Sequence, residues 1–295
     1  MALSIRKIHP GFAAEVSGID LARPLGAGEI AELRAAIDDR AVLVFREQDL
    51  TDEQQIAFTR HFGEIENSAG GHIAKPEQNR LDPRMIDVSN LDRGGAPLSR
   101  DDRRRLFNLG NRLWHSDSSY RAVPAKYSLL SGRLIARRGG DTEFADMRAA
   151  YDALDAETRA EVEALVCEHS LIYSRGALGF TELSAEERAM FRPVRQRLVR
   201  THPQTGRKSL FLSSHAGAIL GWPVPEARAF LRDLTEHATS PAFVYAHRWR
   251  PFDLVMWDNR QTMHRVRRFD EKEPRDMRRT TVAGDGPTIE QPQAA

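Results

Sequence analysis

Three apolar runs set the limits on what this chain can fold into: Ala41-Val42-Leu43-Val44-Phe45 near the start, Tyr127-Ser128-Leu129-Leu130 in the middle, and Leu254-Val255-Met256-Trp257 near the end. Each is short and apolar, as a buried strand is. Helical patterns separate them. Ile30, Leu33 and Ile37 mark an amphipathic helix over about residues 28–40. Thr51-Asp52-Glu53-Gln54 has capping-box spacing and opens a second helix that stops at Gly63. Further helical patterns cover about residues 146–154, 155–168 and 225–239, with Asp155 as an N-cap and a second capping box at Ser184–Glu187. Leu198–Thr201 and Leu210–Leu212 flank Thr205-Gly206 as a hairpin. Phe243, Tyr245, His247 and Trp249 alternate along one strand face, with Leu254–Trp257 as the expected antiparallel partner.

Strands at both ends and in the middle, without regular βαβ alternation, exclude Rossmann and TIM architectures. The expected fold is mixed and β-rich: a sandwich or double-stranded β-helix (jelly roll) core with helical insertions. In a jelly roll, early and late strands meet at one end of the barrel, so distant segments can share a site.

The 295 residues are expected to form a single domain over 1–285, with a frayed tail over 286–295 that carries Pro and Gln without periodicity. From about Glu64 to Arg112 the pattern is broken by Gly70-Gly71, Pro76, Pro83 and Gly94-Gly95, which reads as a lid-like loop. The charge run Asp101–Arg105 reads as a solvated face. A net charge of +1 gives no argument for nucleic acid. With one cysteine, Cys167, an internal disulfide or a cysteine-based zinc cluster is excluded; the helical pattern around it makes it an inert core thiol. No apolar run approaches a membrane span and the N-terminus lacks a signal-peptide layout, so a cytoplasmic protein without membrane partners is expected.

The chemistry-bearing feature is Trp114-His115-Ser116-Asp117. On a strand, residues i and i+2 share a face, so His115 and Asp117 could hold one metal ion from one side. A third ligand is available in His264, which follows Leu254–Trp257 closely. Two histidines and a carboxylate leave three coordination positions open, the arrangement of non-haem Fe(II) oxygenases, whereas zinc more often takes another set. Alone, a His-x-Asp among ten histidines is a weak signal. Downstream, Arg275 and Arg279 are separated by an even number and would share a strand face pointing into the barrel. Two inward guanidiniums require anions to meet them, such as a dicarboxylate co-substrate and an acidic substrate. The alternative is that both are surface residues of a chain in which all but five of 43 basic residues are arginine. His72, His169, His202, His215 and His247 have no ligand-spaced partner and read as structural, although Gly-containing stretches adjoin His72 and His215.

Together, His115-x-Asp117, Thr142 in Gly139-Gly140-Asp141-Thr142, His264 in Trp257-Asp258-Asn259-Arg260-x-x-x-His264, and Arg275 and Arg279 resemble the taurine dioxygenase family of Fe(II)/2-oxoglutarate oxygenases. Trp114–Ser119, Phe144–Leu154 and Arg248–His264 are most similar to its 2,4-dichlorophenoxyacetate dioxygenase branch, and the likeness runs from about residue 8 to 284. The resemblance implies Fe(II) on His115, Asp117 and His264, and 2-oxoglutarate with its distal carboxylate on Arg275 and Thr142. It further implies O2 as oxidant and an aryloxyacetate whose carboxylate meets Arg279. Asn111 and Lys75 are lesser candidates for substrate contact. Hydroxylation of the substrate methylene would give a hemiacetal that collapses to a phenol and glyoxylate, with succinate and CO2 as co-products. The same chemistry on another acid (a sulfonate, an alkyl sulfate, another aryloxyalkanoate) and a jelly-roll metal-binding protein without redox chemistry are the rival readings. A homo-oligomer is plausible for such a family.

Overall fold

The computed structural model describes residues 3–67 and 73–291. Its centre is a seven-stranded sheet in the spatial order Ser4–Lys7, Ala14–Ser17, Val42–Phe45, Leu254–Asp258, Tyr127–Leu134, Asp276–Val282 and Ile86–Asp87. All pairings in it are antiparallel except that of Ala14–Ser17 with Val42–Phe45. All three apolar runs lie side by side at its middle, which is why they lack polar alternation: they are covered on both faces. On one face, Leu33 and Ile37 of the helix Ala27–Arg40 and Phe58 of the helix Asp52–Arg60 pack on Leu43, Phe45, Leu129 and Met256. On the other, Val42, Val44, Val255 and Trp257 meet Phe144 and Trp249.

Phe144 belongs to a second sheet, Val244–His247, Thr142–Asp146 and Thr262–Val266. The two sheets form the jelly-roll sandwich. Inserted between its strands, Val166–His169, Val194–Arg197 and Ala216–Ile219 make a smaller sheet beside the helix Val224–Ala238.

Several sequence expectations are corrected. Val244–His247 pairs with Thr142–Asp146, not with Leu254–Asp258, so the chain crosses from one sheet to the other between them. Cys167 is buried, but on the strand Val166–His169; the helix ends at Ala164. The stretch 64–112 is not structureless: it contributes Ile86–Asp87 to the large sheet and the helix Arg103–Asn108, capped by Asp102 from within the charge run. Arg103 of that run pairs with Glu187 at 2.6 Å. The tail is fastened as far as Thr288, whose hydroxyl donates to Gln196 Oε1 at 2.6 Å, and which is fully buried. His72 and residues 292–295 lie outside the described residues.

Candidate active site

Backbone pairing brings the two ligand-bearing segments together. Thr262–Val266 pairs with Thr142–Asp146 along one edge, and on its other edge His264 exchanges both backbone bonds with His115, at 3.0 and 2.8 Å. The two imidazoles therefore stand adjacent, with ring centroids 4.2 Å apart. His115 is a single bridge residue and Asp117 opens a turn whose next residue, Ser118, has φ of 53°. The shared face of His115 and Asp117 thus comes from a bridge followed by a turn, which corrects the expectation of a strand.

His115 Nε2 lies 3.8 Å from Asp117 Oδ1, and His264 Nε2 lies 3.7 Å from Asp117 Oδ2. One donor atom from each residue lies within 4.8 Å of the others. His115 Nδ1 donates to the Leu113 carbonyl at 2.8 Å, which leaves the Nε2 lone pair directed into the cluster. The His264 ring is held by packing on Trp257, centroid to centroid 4.7 Å, and its buried Nδ1 has no hydrogen-bond partner among the described residues. Burial pushes both histidines down, His264 furthest, so both are neutral and able to ligate at pH 7. Burial would push Asp117 up, but the Arg279 guanidinium beside it, helped by the hydrogen bond from Ser128, outweighs it and brings it to about 2, so it is a carboxylate. Two neutral imidazoles and one carboxylate are a donor set that fits a divalent first-row metal.

The turn after Leu254–Asp258 positions Asp117. Asn259 Oδ1 accepts from the Asp117 amide at 3.1 Å and from Trp257 Nε1 at 3.0 Å. Asn259 Nδ2 donates to Ser128 Oγ at 2.9 Å, and Ser128 Oγ donates to Asp117 Oδ2 at 2.7 Å. Ser116 Oγ closes the cradle by donating to the Asn259 carbonyl at 2.7 Å. The Trp-Asp-Asn segment is therefore the support of the carboxylate, a part that its sequence spacing from His264 did not reveal.

Beside the cluster is a cavity lined by His115, Asp117, Arg279 and Asn111, with Ile73, Leu81 and Leu171 among its apolar wall. A smaller cavity, lined by Arg275, Phe269 and Val266, shares Val88, Ser89, Asn108 and Asn111 with it. Arg275 and Arg279 thus open on adjacent cavities, not on one. The reason is local: the strand begins at Asp276, and its register against Tyr127–Leu134 slips between Asp276 and Met277, so even spacing does not preserve the face. Arg279 Nη1 pairs with Asp117 Oδ1. Arg275 is buried, stacks over the Phe269 ring at 5.0 Å, and among the described residues has no carboxylate in ion-pair contact; burial pushes it down to about 10, so it stays charged. Thr142 is buried on the strand facing Val266, and its Oγ accepts from Trp249 Nε1 at 3.0 Å, which leaves its own proton free to donate. Asn111 stands where the two cavities meet. Lys75 is exposed and lines neither cavity, so the structure does not bring it to the site.

Tyr120, Arg175 and His215 also line the larger cavity. His215 had read as structural and the other two carried no motif. In contrast, His169, His202 and His247 are held by Ser119, Asp258 and Asp253 respectively, at 3.1 Å in each case. A second cluster, Asp38, His202 and Asp258, has its charge met by Arg260, whose Nη2 donates to Asp258 Oδ2 at 2.7 Å.

Comparison with known proteins places this geometry in context. The family model described as "Taurine catabolism dioxygenase TauD, TfdA family" matches residues 4–281. The alpha-ketoglutarate-dependent 2,4-dichlorophenoxyacetate dioxygenase of Cupriavidus pinatubonensis is 46% identical over 288 residues, covering 97% of this chain and 99% of that enzyme. The (S)-phenoxypropionate/alpha-ketoglutarate-dioxygenase of Sphingobium herbicidovorans is 39% identical, covering 96% of each chain. The crystal structure of AAD-2 in complex with Mn(II) and N-oxalylglycine superposes with a TM-score of 0.96 at 62% identity, covering 98% of this chain and 100% of that one.

Proposed function

Since the chain belongs to the TauD, TfdA family of dioxygenases, we propose that it is an Fe(II)- and 2-oxoglutarate-dependent dioxygenase that hydroxylates the methylene of aryloxyacetates such as 2,4-dichlorophenoxyacetate. The observation that carries this reading is the meeting of His115, Asp117 and His264 at the wall of a cavity that also holds Arg279, with Arg275 buried in the cavity next to it.

His115, Asp117 and His264 would hold the iron. Bound there with 2-oxoglutarate and O2, the metal would supply the oxidation of a substrate C–H bond to C–OH, coupled to conversion of 2-oxoglutarate and the second oxygen atom to succinate and CO2. The protein supplies position and charge. Arg275 offers parallel N–H donors to the distal carboxylate of 2-oxoglutarate, and the free Thr142 proton is a second donor. Arg279 meets the substrate carboxylate, which fixes the methylene between carboxylate and ether oxygen relative to the His115–Asp117–His264 face. Asn111, at the junction of the two cavities, contacts substrate. Phe107, Leu171 and Ile73 offer apolar surface to an aromatic ring. The hydroxylated product is a hemiacetal, and its collapse to a phenol and glyoxylate needs no acid or base from the chain.

The same reading takes residues 1–285 as one catalytic domain, with the segment 64–112 covering the site: Ile73, Gln78, Arg80 and Leu98 of that segment reach the cavity. It includes a cytoplasmic homo-oligomer; among the described residues no helix is long and apolar enough to cross a membrane. Aryloxypropionates are the second substrate class to examine, because a relative 39% identical over nearly the whole chain is named for (S)-phenoxypropionate.

The test is phenol and succinate release from 2,4-dichlorophenoxyacetate with Fe(II), 2-oxoglutarate, ascorbate and air. Near-equal yields are expected. Succinate without phenol would move the substrate to another acid, and neither product from any acid in a panel of aryloxyalkanoates, sulfonates and alkyl sulfates would favour a metal-binding protein without redox chemistry.

A further inference from the structure

Arg175 lies on the helix Leu171–Gly176, is 6% exposed, and lines the larger cavity with His115, Tyr120 and His215. Its guanidinium has one described hydrogen bond, from Nη1 to Ser174 Oγ at 3.3 Å, and its buried Nε has none. Among the described residues no carboxylate pairs with it. The cation is nonetheless fixed in place: it stacks over the Phe107 ring at 4.5 Å and lies directly on Gly110, where an added Cβ would come within 2.1 Å of Nη1. Ser174 Oγ also meets His215 Nδ1 at 2.8 Å, which ties the cation to the histidine beside it.

A buried guanidinium without a counter-ion is costly, and one that lines a cavity is placed to meet an anion that enters it. Of the other buried arginines among the described residues, two are paired with carboxylates, one lies away from the cavities and one faces the smaller cavity. Arg148 and Arg260 carry aspartate partners at 2.9 and 2.7 Å. Arg200 likewise has no carboxylate in ion-pair contact among the described residues, but it stacks over the Phe211 ring at 4.7 Å and lines neither cavity. Arg275 faces the co-substrate cavity. Arg279, the other arginine near the metal ligands, already spends part of its charge on Asp117.

We propose that Arg175 is a second anion-binding guanidinium of the substrate cavity, taking the carboxylate of the acidic substrate together with Arg279. The proposal rests on the reading of this cavity as the site of an acidic aryloxyalkanoate. Arg175 is tied to His215 through Ser174 Oγ, while Arg279 pairs with Asp117. A carboxylate that met both would lie in the cavity that also opens on His115 and Asp117. Arg175 is then a substrate-binding residue that selects for acids over neutral ethers.

The test compares binding of 2,4-dichlorophenoxyacetate and its neutral amide by titration calorimetry, without turnover, in the wild type, R175M, R175K and G110A. Methionine keeps the apolar stem and removes the charge. The expected result is a rise of about 10- to 100-fold in Kd for the acid in R175M, the scale of one lost charge-assisted contact, with less than about 3-fold change for the amide. R175K is expected to retain part of the preference for acid. G110A, which displaces the guanidinium without removing it, should also weaken the acid selectively. The melting temperature of R175M should equal or exceed that of the wild type, because no carboxylate is stranded and methionine keeps an apolar contact with the Phe107 ring. Equal losses for acid and amide in R175M, or an unchanged acid Kd, would overturn the assignment while leaving the dioxygenase reading standing. A wild type that does not prefer the acid over the amide would overturn both.

Discussion

Replacing Asp258 by Asn should destabilise the protein far more than a surface charge change, because five donors converge on this one buried carboxylate. Oδ1 accepts from Arg260 Nε at 2.9 Å and from the Arg260 amide at 2.8 Å. Oδ2 accepts from Arg260 Nη2 at 2.7 Å, Gln261 Nε2 at 2.8 Å and His202 Nε2 at 3.1 Å. Asp258 is fully buried, and Arg260 is 3% exposed. An amide in this position turns one acceptor into a donor facing other donors, and leaves the guanidinium with Asp38 and Asp285, each at 3.5 Å, as its carboxylate partners among the described residues. Removing one partner of a buried pair costs about 3–5 kcal/mol. With an unfolding entropy of roughly 2.1 cal/mol/K per residue, that loss in a chain of this length lowers Tm by about 5–8 °C. The pH dependence follows from the same contacts. Burial would raise the Asp258 pKa, but Arg260 and His202 more than reverse it and hold the group well below the usual carboxylate range. A depressed folded pKa gives stability that is complete above about pH 4 and is lost as pH falls below it, so the wild-type advantage over D258N should shrink in acid. Urea melts at pH 7 and pH 3.5 measure both quantities. A cost below about 1 kcal/mol at pH 7 would refute the reasoning, as would an advantage that grows in acid. Because Asn259 is the next residue and carries Asp117, D258N should also weaken metal binding.

Ser128→Ala removes the donor to Asp117 Oδ2 while leaving all three proposed ligands in place; we expect a 10- to 100-fold loss of Mn(II) affinity by titration, and unchanged affinity would remove Ser128 from the site. Arg275→Ala should raise the KM for 2-oxoglutarate by about 10-fold or more with little effect on the KM for substrate, and an equal effect on both would place Arg275 elsewhere in the mechanism. Arg279→Ala should do the reverse, raising the substrate KM and leaving that for 2-oxoglutarate nearly unchanged; no change in substrate dependence would mean the carboxylate lies on the Arg175 side alone. Gly139→Ala meets two obstacles, a backbone φ of 72° and a Cβ placed 2.1 Å from the Arg268 carbonyl. It should disturb the Gly139–Phe269 bridge under Arg275, which a raised KM for 2-oxoglutarate would report.

What could be read from the sequence was set by chemistry that leaves a trace in residue type and spacing. His115, Asp117 and His264 stood out because metal ligation admits few side chains, and their meeting in space follows from a jelly roll joining early and late strands. The geometry behind that meeting was not legible. His115 reaches His264 by a single backbone bridge and Asp117 follows in a turn, yet the result imitates the i and i+2 face of a strand. Alternation in Phe243–Trp249 likewise revealed a strand face but not its neighbour: a period of two says which side chains face inward and nothing about which strand lies alongside. Leu254–Asp258 is buried throughout because it has strands on both sides in the large sheet, which leaves Val244–His247 to the other one. A register slip after Asp276 undid the inference that Arg275 and Arg279 share a cavity, since one shifted residue cancels the parity on which it depended. Arg175 is the extreme case. An arginine in a short helix of an arginine-rich chain carries no motif, and its meaning lies in what does not surround it. Absence of a counter-ion among the described residues is a property of the folded neighbourhood, so the sequence could single out the proposed metal ligands but not the guanidinium proposed to meet the substrate beside them.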